Sequence, residues 1–276
     1  MLKILLLLAA WSWAAGVHAF TLSNDVERLP LSSQVEVLED PSGRLTFDQL
    51  RTPEQAGRFR APPSDGADLN LGLSGSAFWV RWTLQRTEDA DAKWLLEIPF
   101  AQVNALELHA PGSPVVRTGS DLPLASRPVQ DRFFVFPLSV GTTPGTYYLR
   151  VASSNPLTVS PTLWHPPAFE RKTRLTLVAQ ALYYGGWLAL LVYNLFFFIT
   201  LKDFRFLLYV GYALFMGLGM FAGNGFGRQY LWPDAAAFDA VGQVVFFSLA
   251  GALSLLLAQR FLQQNRVSPW FGAMAK

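Results

Sequence analysis

LTLVAQALYYGGWLALLVYNLFFFITL, residues 175–201, decides the architecture of this chain. It runs from Arg174 to Lys202 without one charged side chain. A helix rises about 1.5 Å per residue, so a bilayer core of roughly 30 Å takes about 20 apolar residues. The stretch crosses with a turn or two to spare. Beyond it, Lys202-Asp203-Phe204-Arg205 is long enough only for a tight turn. Residues 206–227 form a second uncharged stretch that ends at Arg228. A polar loop, residues 229–239, leads to a third span at 240–259. Residues 261–276 read as a cytoplasmic tail.

Before the first span, residues 168–174 read as a juxtamembrane linker, with Arg171, Lys172 and Arg174 placed to meet lipid head groups. At the far N-terminus, residues 1–19 read as a signal peptide. Lys3 supplies the positive start, residues 4–15 the apolar stretch, and Val17-His18-Ala19 the small residues before cleavage at Phe20. With the front exported, the three spans place Lys202, Arg205, Arg260, Arg266 and Lys276 inside and Arg228 outside, as the positive-inside rule requires. The basic cluster before the first span runs against that rule. An exported domain overrides a few charges. The expected home is the inner membrane of a bacterium, with the N-terminal domain in the periplasm.

Half of the 276 residues are apolar and 15% are charged, low for a soluble protein. The front half is mildly acidic, which argues against nucleic acid as a partner. The absence of cysteine removes disulfides, thiol nucleophiles and cysteine-based metal sites. Nothing in the sequence implies a cofactor.

Residues 20–70 are polar and proline-punctuated and read as an extended arm, with one early strand at 33–38 and a short helix or loop at 48–59. From residue 71 to 164 strand signals dominate. Phe78, Val80, Trp82 and Leu84 alternate with Trp79, Arg81, Thr83 and Gln85, a period of two with one wholly apolar face. Further strands are expected at 94–98, 105–109, 132–138, 146–151 and 157–164. Pro111-Gly112, Pro144-Gly145 and Asn155-Pro156 mark turns between them. The fold class that follows is an all-β jelly-roll sandwich over residues 20–167, joined to an α-helical transmembrane bundle of three spans.

Several motifs, in order, resemble a known family. Leu69-Asn70-Leu71-Gly72, Ala77-Phe78-Trp79-Val80-Arg81 and Trp94-Leu95-Leu96-Glu97-Ile98 are similar to the periplasmic sensory domain of bacterial seven-helix receptors with diverse intracellular signalling modules. Gly119, Arg127, Phe136-Pro137-Leu138 and Tyr148-Leu149-Arg150-Val151 continue the pattern. Tyr184-Gly185-Gly186, Tyr193-Asn194-Leu195-Phe196, Tyr209 and Gln229-Tyr230-Leu231-Trp232-Pro233 resemble the start of that family's membrane region. The resemblance implies a jelly roll similar to carbohydrate-binding modules, a membrane relay, and a cytoplasmic histidine kinase or diguanylate cyclase as output. The sequence departs from the family with three spans rather than seven and no output domain. It reads as a fragment, as a truncated gene product, or as a receptor that has lost four helices.

No nucleophile elbow, phosphate loop or metal-ligand spacing appears, so no catalytic residue is expected. Glu88, Asp89 and Asp91 cluster beside Lys93. A solvated loop is the first reading and a calcium site the second. For a small, carbohydrate-like ligand the candidates are Trp79, as a stacking platform, and Arg81, as a bidentate donor, with Glu97 and Arg127 as further polar groups in one cleft. The alternative is that Trp79 packs under a loop and Arg81 makes a structural ion pair. In the membrane, Asn194 is expected to hydrogen-bond to a neighbouring helix, and Gly219, Gly223 and Gly227 to form one close-packing face. A homodimer through that face is a hypothesis. So is an exported domain that docks a protein partner with no small-molecule ligand.

Overall fold

The computed structural model describes residues 19–32, 34–62 and 68–262. The expected signal peptide, Arg266, Lys276 and nearly all of the expected tail lie outside the described residues.

Strands β1 (Phe20–Leu22), β2 (Arg28–Pro30) and β3 (Glu36–Asp40) are followed by the single-turn helices α1 (Phe47–Leu50) and α2 (Pro53–Ala56). Then come β4 (Leu69–Gly72), β5 (Ala77–Arg86), β6 (Lys93–Ile98), β7 (Ala105–His109), β8 (Val116–Thr118) and β9 (Phe134–Ser139). The soluble part closes with β10 (Gly145–Ala152), β11 (Leu157–Val159) and β12 (Thr162–Trp164). One sheet runs β1-β5-β10-β7-β8, with β3 also on β5. Its partner runs β2-β12-β6-β9, and β11 pairs with β4.

The alternation in β5 sets the core. Phe78, Val80, Trp82 and Leu84 are buried against Trp94, Leu96 and Ile98 of β6 and Phe134, Phe136 and Leu138 of β9. Each such side chain contributes about 1.5–3 kcal/mol when withdrawn from water. The result is a two-sheet sandwich. The expected strand at 157–164 is two strands, because at Ser160-Pro161 the chain passes from pairing with β4 to pairing with β2 and β6.

The N-terminal arm is more ordered than its composition suggests. Its strands join both sheets, and α1 and α2 lie over the outer face of the first sheet. There they cover Leu38, Leu50, Phe59 and Trp79, a second small core. A capping box starts α1: Thr46 accepts from the Gln49 backbone, and the Gln49 side chain accepts from the Thr46 N–H.

Three helices follow: α3 (Pro166–Leu201), α4 (Phe204–Gly223) and α5 (Ala236–Leu262). Each is long and apolar enough to span a bilayer. Helix α3 begins at Pro166-Pro167, where proline suits a first turn. The expected linker at 168–174 is therefore helix, continuous with the span. At 1.5 Å per residue α3 is about 54 Å long, well beyond the hydrocarbon core. Lys202 ends it in the left-handed conformation, and the Asp203 carboxylate caps α4. Helix α4 stops at Gly223, short of the expected 227, and a π-helical turn occupies Gly227–Leu231. Leu182, Val192 and Phe196 face outward, as lipid permits.

Candidate functional site

A cavity of about 960 Å³ lies on the outer face of the first sheet. Its floor follows from strand register. Tyr148 sits opposite His109, and Arg150 lies between Glu107 on one side and Trp79 on the other. Glu107 in turn faces Arg117 of β8. Because strand side chains alternate, fixing Leu106, Leu108 and Leu149 in the core turns Glu107, His109, Tyr148 and Arg150 outward.

One wall is α1 with the loop before it. That loop is tied down by Asp40, whose carboxylate accepts from the Ser42 hydroxyl and the backbone N–H groups of Ser42 and Leu45. Burial raises the Asp40 pKa, but these bonds outweigh it and hold the carboxyl below its ordinary range. The wall presents Phe47, which stacks on His109 at 4.1 Å between centroids and meets Tyr148 edge-on at 5.3 Å. The opposite rim is the turn at Pro111-Gly112-Ser113.

A cluster of charged groups lies on the floor. Glu107 is bonded by His109 Nε2 at 2.7 Å and by Arg117 Nε at 3.1 Å. Burial pushes the Glu107 carboxyl up, and the hydrogen bonds and charges of Arg117 and His109 more than reverse it, so its pKa lies below the usual glutamate value. Arg150 donates to the Gly43 carbonyl at 2.8 Å. The groove therefore sets the half-buried rings of Phe47 and Tyr148 beside the hydrogen-bonded Glu107, Arg117 and Arg150.

The expected ligand set is not brought together. Trp79 reaches the groove floor but is 1% exposed, packed beneath α1 and α2. Arg81 shares the outer face with Trp79 but does not line the groove, being bound to Glu36 at 2.7 Å and stacked over Phe59 at 4.2 Å. Glu97 belongs to the other sheet. Its buried carboxylate accepts from Trp164 Nε1 at 2.9 Å and from Lys172 of α3. Arg127 lies at the membrane end, where its guanidinium donates to the Asp131 and Arg132 carbonyls. Burial and the nearby Arg228 lower its pKa to about 10, which leaves it charged at neutral pH. One cleft holding all four residues fails because Glu97 lies in the other sheet, Arg127 in the loop before β9, and Trp79 and Arg81 are covered by the arm. Phe47, Glu107, His109, Tyr148 and Arg150 line the groove instead. The outward parity of β7 and β10 was legible, but the wall that turns that face into a groove was not.

In the membrane, Asn194 donates to the Leu190 carbonyl of its own helix rather than to a neighbour. Gly219 and Gly223 leave room for Phe247 and Gln243 of α5. Gly227 lies in the π turn, against Trp232, so the three glycines do not share one interface. In the acidic loop, Asp91 pairs with His165 at 2.9 Å. Among the described residues no group of three acidic, histidine or cysteine side chains could hold a metal ion.

The sandwich docks on the membrane helices at two places. Glu97–Lys172 and Glu27–Arg171 join it to the start of α3. Gln102 bonds Gln243 of α5 at 2.9 Å, and Arg228 donates to the Leu122 carbonyl at 2.8 Å. Gly225, at φ +79°, brings its backbone against the Arg132 carbonyl and Ala101, where a Cβ would have no room.

Two family profiles match the chain. Residues 32–165 match the 7TMR-DISM extracellular domain 2, and residues 176–275 match the 7TM region of diverse intracellular signalling. Only the first turns of α3 lie between the two matches. Both profiles describe receptor and sensor regions, not catalytic ones. No curated protein matches the chain.

Proposed function

From a chain that belongs to the 7TMR-DISM receptors, membrane proteins that carry a sensory domain, we propose a receptor whose sandwich captures a small, carbohydrate-like ligand in the groove under α1. The groove's pairing of aromatic rings with hydrogen-bonded charged groups carries this reading. The sandwich stands in the periplasm, and the helices report its state across the cytoplasmic membrane to an output module, a histidine kinase or diguanylate cyclase. Ligand transmits only if it binds two states of the receptor unequally. The arm over Trp79 is the part best placed to differ between them, since one groove wall is a single-turn helix.

The test is thermal unfolding of the purified full chain across a panel of neutral and acidic saccharides. A saccharide that raises the midpoint, with the shift lost in Tyr148→Ala and Arg150→Ala, supports the reading. Lack of any shift, together with concentration-dependent self-association, favours a protein-docking module.

A further inference from the structure

A second, smaller cleft of about 170 Å³ opens where the sandwich meets the membrane helices. It lies between α3, the loop at Gln130-Asp131-Arg132 and the π turn. Its level is set by α3. Thr173 lies above the first residue of the uncharged stretch and Leu177 below it. That stretch exceeds the hydrocarbon thickness by several residues, so the cleft sits at head-group depth. Phe226, Leu177 and the exposed ring of Tyr230 form its lower wall, the side that faces acyl chains.

The upper wall carries the guanidinium of Arg132 and the carboxylate of Asp131. The Arg132 guanidinium lies over the rings of Phe133 at 4.4 Å and Phe226 at 4.9 Å. Its side chain makes no hydrogen bond among the described residues, so its N–H edges are preset for an oxyanion. Next to it, Asp131 uses one carboxylate oxygen to hold the Phe133 N–H. The other oxygen has no partner among the described residues. Lys172 also lines the cleft, but Glu97 holds its ammonium. The side chains of Thr173 and Gln229 complete the polar rim and make no other hydrogen bond among the described residues. Arg127, buried behind the loop, clamps the Asp131 and Arg132 carbonyls and so fixes the spacing of the two charges.

We propose that this cleft binds the head group of a zwitterionic phospholipid that bears a primary amine. The phosphodiester sits on Arg132 and Thr173, the ammonium donates to Asp131, and the glycerol and chains descend past Leu177 and Tyr230. A primary ammonium has hydrogens to donate to the carboxylate, and a trimethylated one has none. A head group without the cation leaves Asp131 facing phosphate. The site is separate from the groove, and its occupancy ties the sandwich to the bilayer at the point where α3 enters.

The test uses the full chain in mild detergent, with native mass spectrometry and thermal unfolding. The probes are phosphatidylethanolamine, phosphatidylcholine and phosphatidylglycerol of matched chains, with soluble O-phosphoethanolamine as a fourth arm. The expected result is one retained phosphatidylethanolamine and a raised unfolding midpoint. The other two lipids should bind at least about tenfold more weakly, the equivalent of one lost charge-assisted hydrogen bond. Arg132→Gln should abolish retention, while Asp131→Asn should keep lipid binding but erase the preference for the amine. Thr173→Val gives a second, surface-neutral variant with reduced retention. Equal binding of all three lipids, or no retained lipid, overturns the proposal. Full stabilisation by O-phosphoethanolamine alone also overturns it, since the source would then be a soluble phosphate ester.

Discussion

Trp79 shows how one side chain can be read two ways from its neighbours in sequence. Its parity in β5 sets it opposite the core, where a stacking platform would stand. The arm then covers it. Trp79→Ala should lose about 3–5 kcal/mol of stability, the usual cost of emptying a buried aromatic site, as measured by denaturant unfolding. An unchanged midpoint would show that the ring is not core. Glu107 carries the groove's electrostatics. Its folded-state pKa is lowered, so its stabilising contribution is complete above the ordinary glutamate value of 4.5 and is lost as pH falls through the lowered one. Unfolding midpoints scanned from neutral to acid pH should drop less steeply in Glu107→Gln than in the parent. Equal slopes would mean that Arg117 and His109 do not hold the carboxylate.

At the scale of elements, α3 is the decisive piece. A flexible linker would pass little of a domain's motion to the membrane, whereas a continuous helix moves as one body. Its first turns are fastened to the sandwich by Lys172 on the buried Glu97, with Trp164 and Phe169 packed edge-on beside them. Lys172→Met should cost about 2 kcal/mol, the low end for a stranded buried charge because Lys172 is partly solvated. Adding Glu97→Gln to that variant should restore part of the loss, since a neutral amide is less costly to bury than an unpaired carboxylate. Equilibrium unfolding of the two single variants and the double variant measures the coupling, and strict additivity would show that the pair is not one unit.

For the whole molecule, the contacts between Gln102 and Gln243, and between Arg228 and Leu122, seat the sandwich on α5 and the π turn as well as on α3. Two attachments resist rotation where one would not. The chain has no native cysteine, so Gln102→Cys with Gln243→Cys gives a clean pair for a short bis-thiol cross-linker in native membranes. Rapid intramolecular cross-linking is expected. Its absence, with both thiols reactive to a monofunctional reagent, would show that the sandwich rides free of α5.

What the amino-acid order determined alone are the features written in local periodicity. Leu175 to Leu201 announces a membrane span because hydropathy and length suffice for it. Phe78 to Leu84 announces a core strand because its period of two needs no partner to be seen. The motifs around Trp94, Tyr148 and Tyr230 likewise carried the family. Tertiary structure alone decided which exposed faces are covered and which distant residues meet. Phe47 joins His109 and Tyr148 only after the arm folds back across the sheet. Arg81 and Glu97 part company because β5 and β6 lie in different sheets, and Arg127 because it sits in the loop before β9. The helical start of α3 was hidden for a related reason. Its charged turns look like a linker until Glu97 and Glu27, far away in the chain, are seen to hold them.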